Sequence, residues 1–244
     1  MHSSSIRNLE RFFKIYLEKM DNPKILDLGG VKLGNQLSGK DIIKKFKKSF
    51  SYYAVDIKPG PNVDITLKNP YFFEEIEKNS FDIVISVSTF EHIEFFWLSY
   101  LEILKVLKQD GVFYLNVPSN GIIHRWYKDC WRFYPDSGSA LINWGKFNNF
   151  NNSLLESFTT KKYLEGGWND YNAIIIKDKI NSYKYPARIV DEIEDFYNGM
   201  KNDDCTNIIN AQHLTEDQNN FGYKLWYKFN KKFQKYFYKY FNKN

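Results

Sequence analysis

Lys24-Ile25-Leu26-Asp27-Leu28-Gly29-Gly30 is a short apolar run that carries one acid and ends in two glycines. It reads as a buried strand whose following turn lets the backbone approach a ligand closely, because no Cβ stands in the way. Tyr52-Tyr53-Ala54-Val55-Asp56 is a second such run, again ending in an acid. A third, Phe81-Asp82-Ile83-Val84-Ile85-Ser86-Val87, leads into Ser88-Thr89-Phe90-Glu91-His92. In a parallel α/β sheet the carboxyl ends of neighbouring strands lie side by side over the ligand crevice. Gly29, Gly30, Asp56 and the polar run after Val87 therefore emerge at one edge, with Asp56 placed to accept both hydroxyls of a ribose. The G-x-G-x-x-G spacing of a dinucleotide site cannot be laid on Gly29, Gly30 and Gly34.

Composition bounds the rest. The chain has 244 residues, 43% of them apolar, enough for one cored domain with an appendage. No run approaches the ~18 to 20 apolar residues of a spanning helix, and the first residues lack the cationic-then-apolar layout of a secretory signal. The expected location is cytoplasmic, with both cysteines, Cys130 and Cys205, free. The segment 222–244 carries seven lysines and no acid, so removing it from the formal charge of +5 leaves −2 for residues 1–221. A near-neutral body argues against nucleic acid as partner, since such affinity rests on neutralising phosphates.

Along the chain, Ile6, Leu9, Phe12, Phe13, Tyr16, Leu17 and Met20 recur at helical spacing and predict an amphipathic helix over 5–20. A short helix is expected over 38–47, a turn at Pro59-Gly60-Pro61 and a short third strand over 62–65. Helical spacing over 91–107 is closed by Lys108-Gln109-Asp110-Gly111, read as a C-terminal turn, before a fifth strand over 112–118. A helix over 136–144 and strands over 154–160 and 171–176 complete the pattern. Residues 181–221 read as a short helix and loops. The division expected is 1–180 for the main domain and 181–244 for a C-terminal extension.

The runs around Gly29-Gly30, Val55-Asp56, Asn62-Val63-Asp64-Ile65 and Phe81–Ile85 resemble, in order and spacing, the class I S-adenosylmethionine-dependent methyltransferases. The resemblance covers roughly 20–180 and departs from the family pattern at Val31, where a glycine is usual. It implies an α/β, Rossmann-like fold with a seven-stranded, mostly parallel sheet, an antiparallel last strand, and here a helical C-terminal extension. It also implies S-adenosylmethionine as cofactor, S-adenosylhomocysteine as product, and a cofactor site of Asp27, Gly29, Gly30, Asp56, Ile57, Asp64, Ile65, Ser88 and Glu91. In that family the position of Asp64 supplies an acid to the adenine amino group.

His124-Arg125-Trp126-Tyr127-Lys128-Asp129-Cys130-Trp131-Arg132-Phe133-Tyr134-Pro135-Asp136 mixes ionisable groups with five aromatics and fits neither helical nor strand periodicity. Burial alone does not account for it; an acceptor pocket does. Together with 90–97 it resembles a subgroup of these methyltransferases associated with bacterial capsule and lipopolysaccharide synthesis. The implied reaction is O-methylation of a sugar, sugar nucleotide or phosphate or phosphoramidate intermediate, an anionic, activated carbohydrate acceptor.

Methyl transfer from a sulfonium needs alignment of the acceptor and, for a hydroxyl, a base. Histidine suits that work near neutrality. Of the four histidines, His92 and His124 fall on segments at the functional edge and are the candidate catalytic bases. Arg125, Asp129, Arg132 and Tyr134 are candidate acceptor-binding groups, with internal ion pairs the alternative for the arginines. No metal site is read, because Asp129, Asp136, Glu91 and Glu94 do not form the contiguous acidic set that metal-dependent O-methyltransferases tend to use. In 222–244, lysines and aromatics alternate at helical spacing, as in an interfacial helix; packing on the body or on a second copy in a homodimer is the alternative. Two other functions stay open: a catalytically inactive cofactor-binding module docked on membrane-bound glycan assembly, and an RNA methyltransferase.

Overall fold

Strand residues that alternate between two faces organise the molecule. In the computed structural model, Leu26, Val84, Phe113 and Leu115 pack into one apolar layer, while Ile25, Ile83, Ile85, Val112 and Tyr114 pack into the other. Both faces of these strands are thus covered, which is why they read as continuous apolar runs. The structure describes residues 1–18, 20–32, 34, 36–162, 168–213, 215, 228–230 and 232. One compact unit spans Met1–Ala211 and a second Gln212–Asn244. The basic aromatic helix expected over 222–244 lies outside the described residues except for 228–230 and 232, which are helical.

The strands are β1 (Lys24–Leu28), β2 (Ser51–Asp56), β3 (Ile65–Thr66), β4 (Phe81–Val87), β5 (Leu107–Pro118), β6 (Ser153–Thr160), β7 (Asp170–Ile176), β8 (Phe196–Lys201) and β9 (Asp204–Ile209). They form one sheet in the order β3-β2-β1-β4-β5-β7-β6-β8-β9. β1 pairs in parallel with β2 and β4, and β4 with β5. β7 runs antiparallel to both its neighbours, the antiparallel finish expected of this fold. Helices α1 (Ser3–Tyr16) and α2 (Gly39–Ile43) cover one face; α3 (Phe96–Val106) and α4 (Ser137–Phe147) cover the other. Leu9, Phe12 and Phe13 of α1 are fully or almost fully buried, and Phe12 stacks on Tyr114 with ring centroids 4.5 Å apart. Ser38 caps α2 by accepting from the Asp41 N–H, and the Asp41 carboxylate returns the bond, a capping box that starts the helix.

Three local expectations are corrected. The helix expected over 91–107 is interrupted: Phe90–His92 forms a separate 3₁₀ turn and α3 begins only at Phe96. The Glu91 carbonyl, which a continuous helix would spend on the fourth residue along, instead accepts the Cys130 and Trp131 N–H groups at 2.8 and 3.2 Å. The Trp131 indole likewise donates to the Ile93 and Glu94 carbonyls. Second, the turn expected at 108–111 belongs to β5, where Gly111 lets β4 approach: a Cβ there would lie 3.0 Å from the Phe81 carbonyl oxygen. Third, the region 181–221 contains strands β8 and β9, which extend the seven-stranded core to nine. Lys201 pairs with Asp204 across Asn202 and Asp203, whose φ values are 55° and 60°, the left-handed pair of a type I′ hairpin turn.

Candidate active site

The turn after β1 is shaped by its own neighbours. Gly29 has φ +82°, and a Cβ there would lie 2.1 Å from Thr89 Oγ1, so the position excludes any side chain. Its N–H and that of Gly30 both donate to the Val55 carbonyl, at 2.8 and 3.2 Å. Asp27 lies beneath this turn, buried, with the Tyr52 hydroxyl donating to Oδ2. Burial pushes its carboxyl up to about 6. Asp27 therefore braces the turn from below.

Asp56 ends β2 half-buried, accepts the Lys58 N–H, and is raised from the usual carboxylate range by burial. Ile57 beside it is 48% exposed. Ser88 ends β4 with φ 51° and donates its N–H to the Asn116 carbonyl. Because β2, β1 and β4 are adjacent and parallel, these residues follow neighbouring strands at one edge of the sheet. An exposed apolar face next to a carboxylate with acceptor capacity fits the adenosine half of S-adenosylmethionine. Asp64 is differently engaged: its Oδ2 accepts the Ala54 N–H at 2.8 Å, completing the edge of β2 in front of the two-residue β3, which carries Ile65.

Beyond β4 the 124–136 segment folds against the 3₁₀ turn, and four groups converge. Glu91 is 0% exposed, and neither carboxylate oxygen has a hydrogen-bond partner in another side chain or backbone group among the described residues. His92 Nε2 lies 3.7 Å and His124 Nε2 3.9 Å from Glu91 Oε1. The His92 Nδ1 is bonded to the Lys128 carbonyl, which places the proton on Nδ1 and leaves Nε2 as an acceptor. His124 Nδ1 faces Asp129 Oδ2 at 3.5 Å, and the two imidazoles meet edge-on with centroids 4.9 Å apart.

Electrostatics separates the two acids. Asp129 receives a two-pronged bond from Arg132 at 2.6 and 2.8 Å and the His124 N–H at 2.8 Å; the Arg132 bond holds its carboxyl down at about 2. Burial pushes Glu91 up to about 8, with Asp170 and Asp129 adding to the effect and Arg132 opposing it. Burial also lowers His124. Glu91 is thus neutral at pH 7 beside two imidazoles, and the three can hold or pass a proton.

Arg132 is committed to Asp129 and to the Ile122 carbonyl, whereas Arg125 is exposed and makes no ion pair among the described residues. Tyr134 is 56% exposed, as are much of Trp126 and Tyr127. Lys58, following β2, meets the Tyr127 hydroxyl and ring, tying the segment to the cofactor side. Trp168 was not singled out from sequence, yet its ring lies 4.7 Å from that of His124 and fills the space a Cβ on Gly121 would take. Its only sequence signal was an aromatic in a Gly-rich loop.

Residues 32–115 match the family described as a methyltransferase domain. No curated protein matches the chain. Among solved structures, the chain is similar to the Burkholderia thailandensis 1,6-didemethyltoxoflavin-N1-methyltransferase with bound 1,6-didemethyltoxoflavin and S-adenosylhomocysteine: TM-score 0.53, 14% identity, 72% of this chain and 79% of that one covered. The citrinin polyketide synthase CMeT domain gives a TM-score of 0.51 at 12% identity over 72% of this chain, which spans about half (53%) of that one. These likenesses are ones of fold. The matched domain, about a third of the chain, and the shared Rossmann-like fold indicate S-adenosylmethionine-dependent methyltransferase activity, with S-adenosylmethionine as cofactor.

Proposed function

We propose that this methyltransferase acts on a hydroxyl of an anionic carbohydrate, a sugar, sugar nucleotide or phosphate-bearing intermediate of bacterial surface polysaccharide synthesis. The observation that carries the chemistry is the convergence of His92 Nε2 and His124 Nε2 on buried Glu91. The acceptor class rests on the exposed Arg125 and the aromatic faces of Trp126 and Tyr134, and on the resemblance of 124–136 to capsule-associated methyltransferases. Asp56, Ile57 and the Gly29-Gly30 turn hold the cofactor, with Ser88 and Glu91 nearer the reacting end.

Bound S-adenosylmethionine supplies an electrophilic methyl on a sulfonium. The chain aligns the acceptor oxygen at ~3 to 3.5 Å from that carbon and takes its proton. His92, anchored through Nδ1 on the Lys128 carbonyl, presents a free Nε2 for that step; His124, oriented by Asp129, is the second acceptor. For the 222–244 segment, with its lysines and aromatics at helical spacing, two roles are proposed: contact with anionic membrane, or packing on the body or on a second copy.

A screen of nucleotide sugars and activated phosphates for S-adenosylhomocysteine release tests the reading. On the acceptor so found, His92→Ala and His124→Ala are expected to lower turnover by ~10² to 10⁴, singly or together, while cofactor affinity by calorimetry changes little. Wild-type turnover in both variants would remove the histidines from the reaction.

A further inference from the structure

Glu91, His92 and His124 each direct one ligand-type atom at a common point, all within 4.8 Å of one another. We propose that these three side chains bind a divalent transition-metal ion of the zinc type. The inference deepens the reading of the same site and rests on the acceptor lying against this cluster.

Three independent observations support it. Two imidazoles and one carboxylate are a donor set that takes zinc in catalytic sites, leaving a position open for water or substrate. The outer partners are those a metal site needs: a ligating imidazole almost always gives its other nitrogen to a carbonyl or carboxylate, which fixes the ring. Here His92 Nδ1 is bonded to the Lys128 carbonyl, and His124 Nδ1 lies 3.5 Å from the Asp129 carboxylate without a hydrogen bond to it; both Nε2 atoms lie toward Glu91. Finally, the Glu91 carboxylate is fully buried with neither oxygen hydrogen-bonded to another of the described residues. A buried carboxylate in that state costs several kcal/mol unless it is protonated or ligates a cation. Donors ~2.0 to 2.1 Å from a tetrahedral ion stand about 3.4 Å apart; the two Nε2 atoms lie 3.7 and 3.9 Å from Glu91 Oε1 and the three donors within 4.8 Å of one another, so loading draws the side chains inward.

In the loaded site the histidines are ligands rather than bases. An acceptor hydroxyl on the open position loses its proton to solvent, because the cation lowers its pKa. Its oxygen then forms the O–CH₃ bond as the C–S bond breaks, and the sulfur keeps the electron pair.

The test is a cobalt(II) titration of full-length protein stripped of metal, followed by visible absorption and by zinc competition. Wild type is expected to show the d–d bands of a low-coordinate cobalt site, abolished by stoichiometric zinc. Glu91→Gln and His92→Ala are expected to weaken cobalt binding by more than about 100-fold, and Asp129→Asn by about 10- to 100-fold, with an unchanged far-ultraviolet circular dichroism spectrum and a cooperative melt as the sign of an intact fold. Absence of bands in wild type, or bands unchanged in the Glu91 and His92 variants, overturns the site. Should a variant lose its fold, zinc-edge X-ray absorption of wild type decides: two imidazoles with oxygen ligands support the site, and sulfur or all-oxygen coordination overturns it. Methyl transfer to a hydroxyl by protein that binds no metal sinks the metal and leaves the proposed reaction standing. Metal held by these residues with no transfer to any hydroxyl does the reverse.

Discussion

At the scale of single residues, Glu91 is the most consequential side chain. Its folded pKa of about 8 lies above the ordinary 4.5, so the native state holds more protons than the unfolded one between those values. In metal-free protein stability therefore falls as pH rises through that window, by up to about 1.4 kcal/mol per pH unit. Glu91→Gln cannot ionise, and its melting temperature relative to wild type is expected to rise from pH 5 to pH 8; a constant difference would contradict the raised pKa. Asp56 gives a second prediction. If Asp56 binds the ribose as proposed, Asp56→Ala removes two charge-assisted bonds, each on the order of 1.5 to 3 kcal/mol, and calorimetry is expected to register the loss in S-adenosylhomocysteine affinity. Both acids stand out in the sequence, but unequally. Asp56 ends an apolar run, where strand periodicity alone locates it. Glu91 falls at the start of the helical spacing over 91–107; its burial comes from a segment some forty residues away, which no local pattern records. Asp64, expected at the adenine, has one oxygen committed to the Ala54 N–H for the same reason.

Among elements, the break between Phe90–His92 and α3 matters most to the proposed site, because it sets His92 apart from the regular helix. Trp131→Phe deletes the indole bonds to the Ile93 and Glu94 carbonyls while keeping an aromatic face. The expected cost is about 1 kcal/mol of stability, half-exposed bonds being weak, together with a larger fractional loss of turnover than of cofactor affinity. Denaturant melts and steady-state kinetics would separate the two; equal losses in turnover and affinity would argue against a positioning role. Strands β1, β2, β4 and β5 were legible because each is a continuous apolar run with a marked end. The start of α3 was not, since the carbonyls that would have begun it are taken by 130–131. β9 was missed for a different reason: it is an exposed edge with no buried period to read, and only Asn202-Asp203 announced it.

For the molecule as a whole, the two covered faces follow from the lack of alternation in the strand runs, whereas the order β3-β2-β1-β4-β5-β7-β6-β8-β9 is not that of the runs in sequence. The convergence of 90–92, 124–132 and 168 was not readable, since it is created by packing three loops on one sheet edge. The unit Met1–Ala211 has its own core. Among the described residues no helix is long and apolar enough to cross a membrane; were 222–244 to meet anionic lipid as proposed, each lysine would add ~1 kcal/mol near the surface. Full-length protein is expected to cosediment with anionic vesicles and a 1–211 truncation to remain in the supernatant with an unchanged melting temperature. A lower melting temperature without lipid binding by the full chain would assign the segment to self-packing. The Glu91 carbonyl, shared by Cys130 and Trp131, has an evolutionary corollary. Since the Phe90–His92 turn and the proposed acceptor loop hang on the same atom, reshaping one shifts the other: relatives with a different 124–136 segment are expected to differ in 90–94 as well, as paired replacements rather than single-loop swaps.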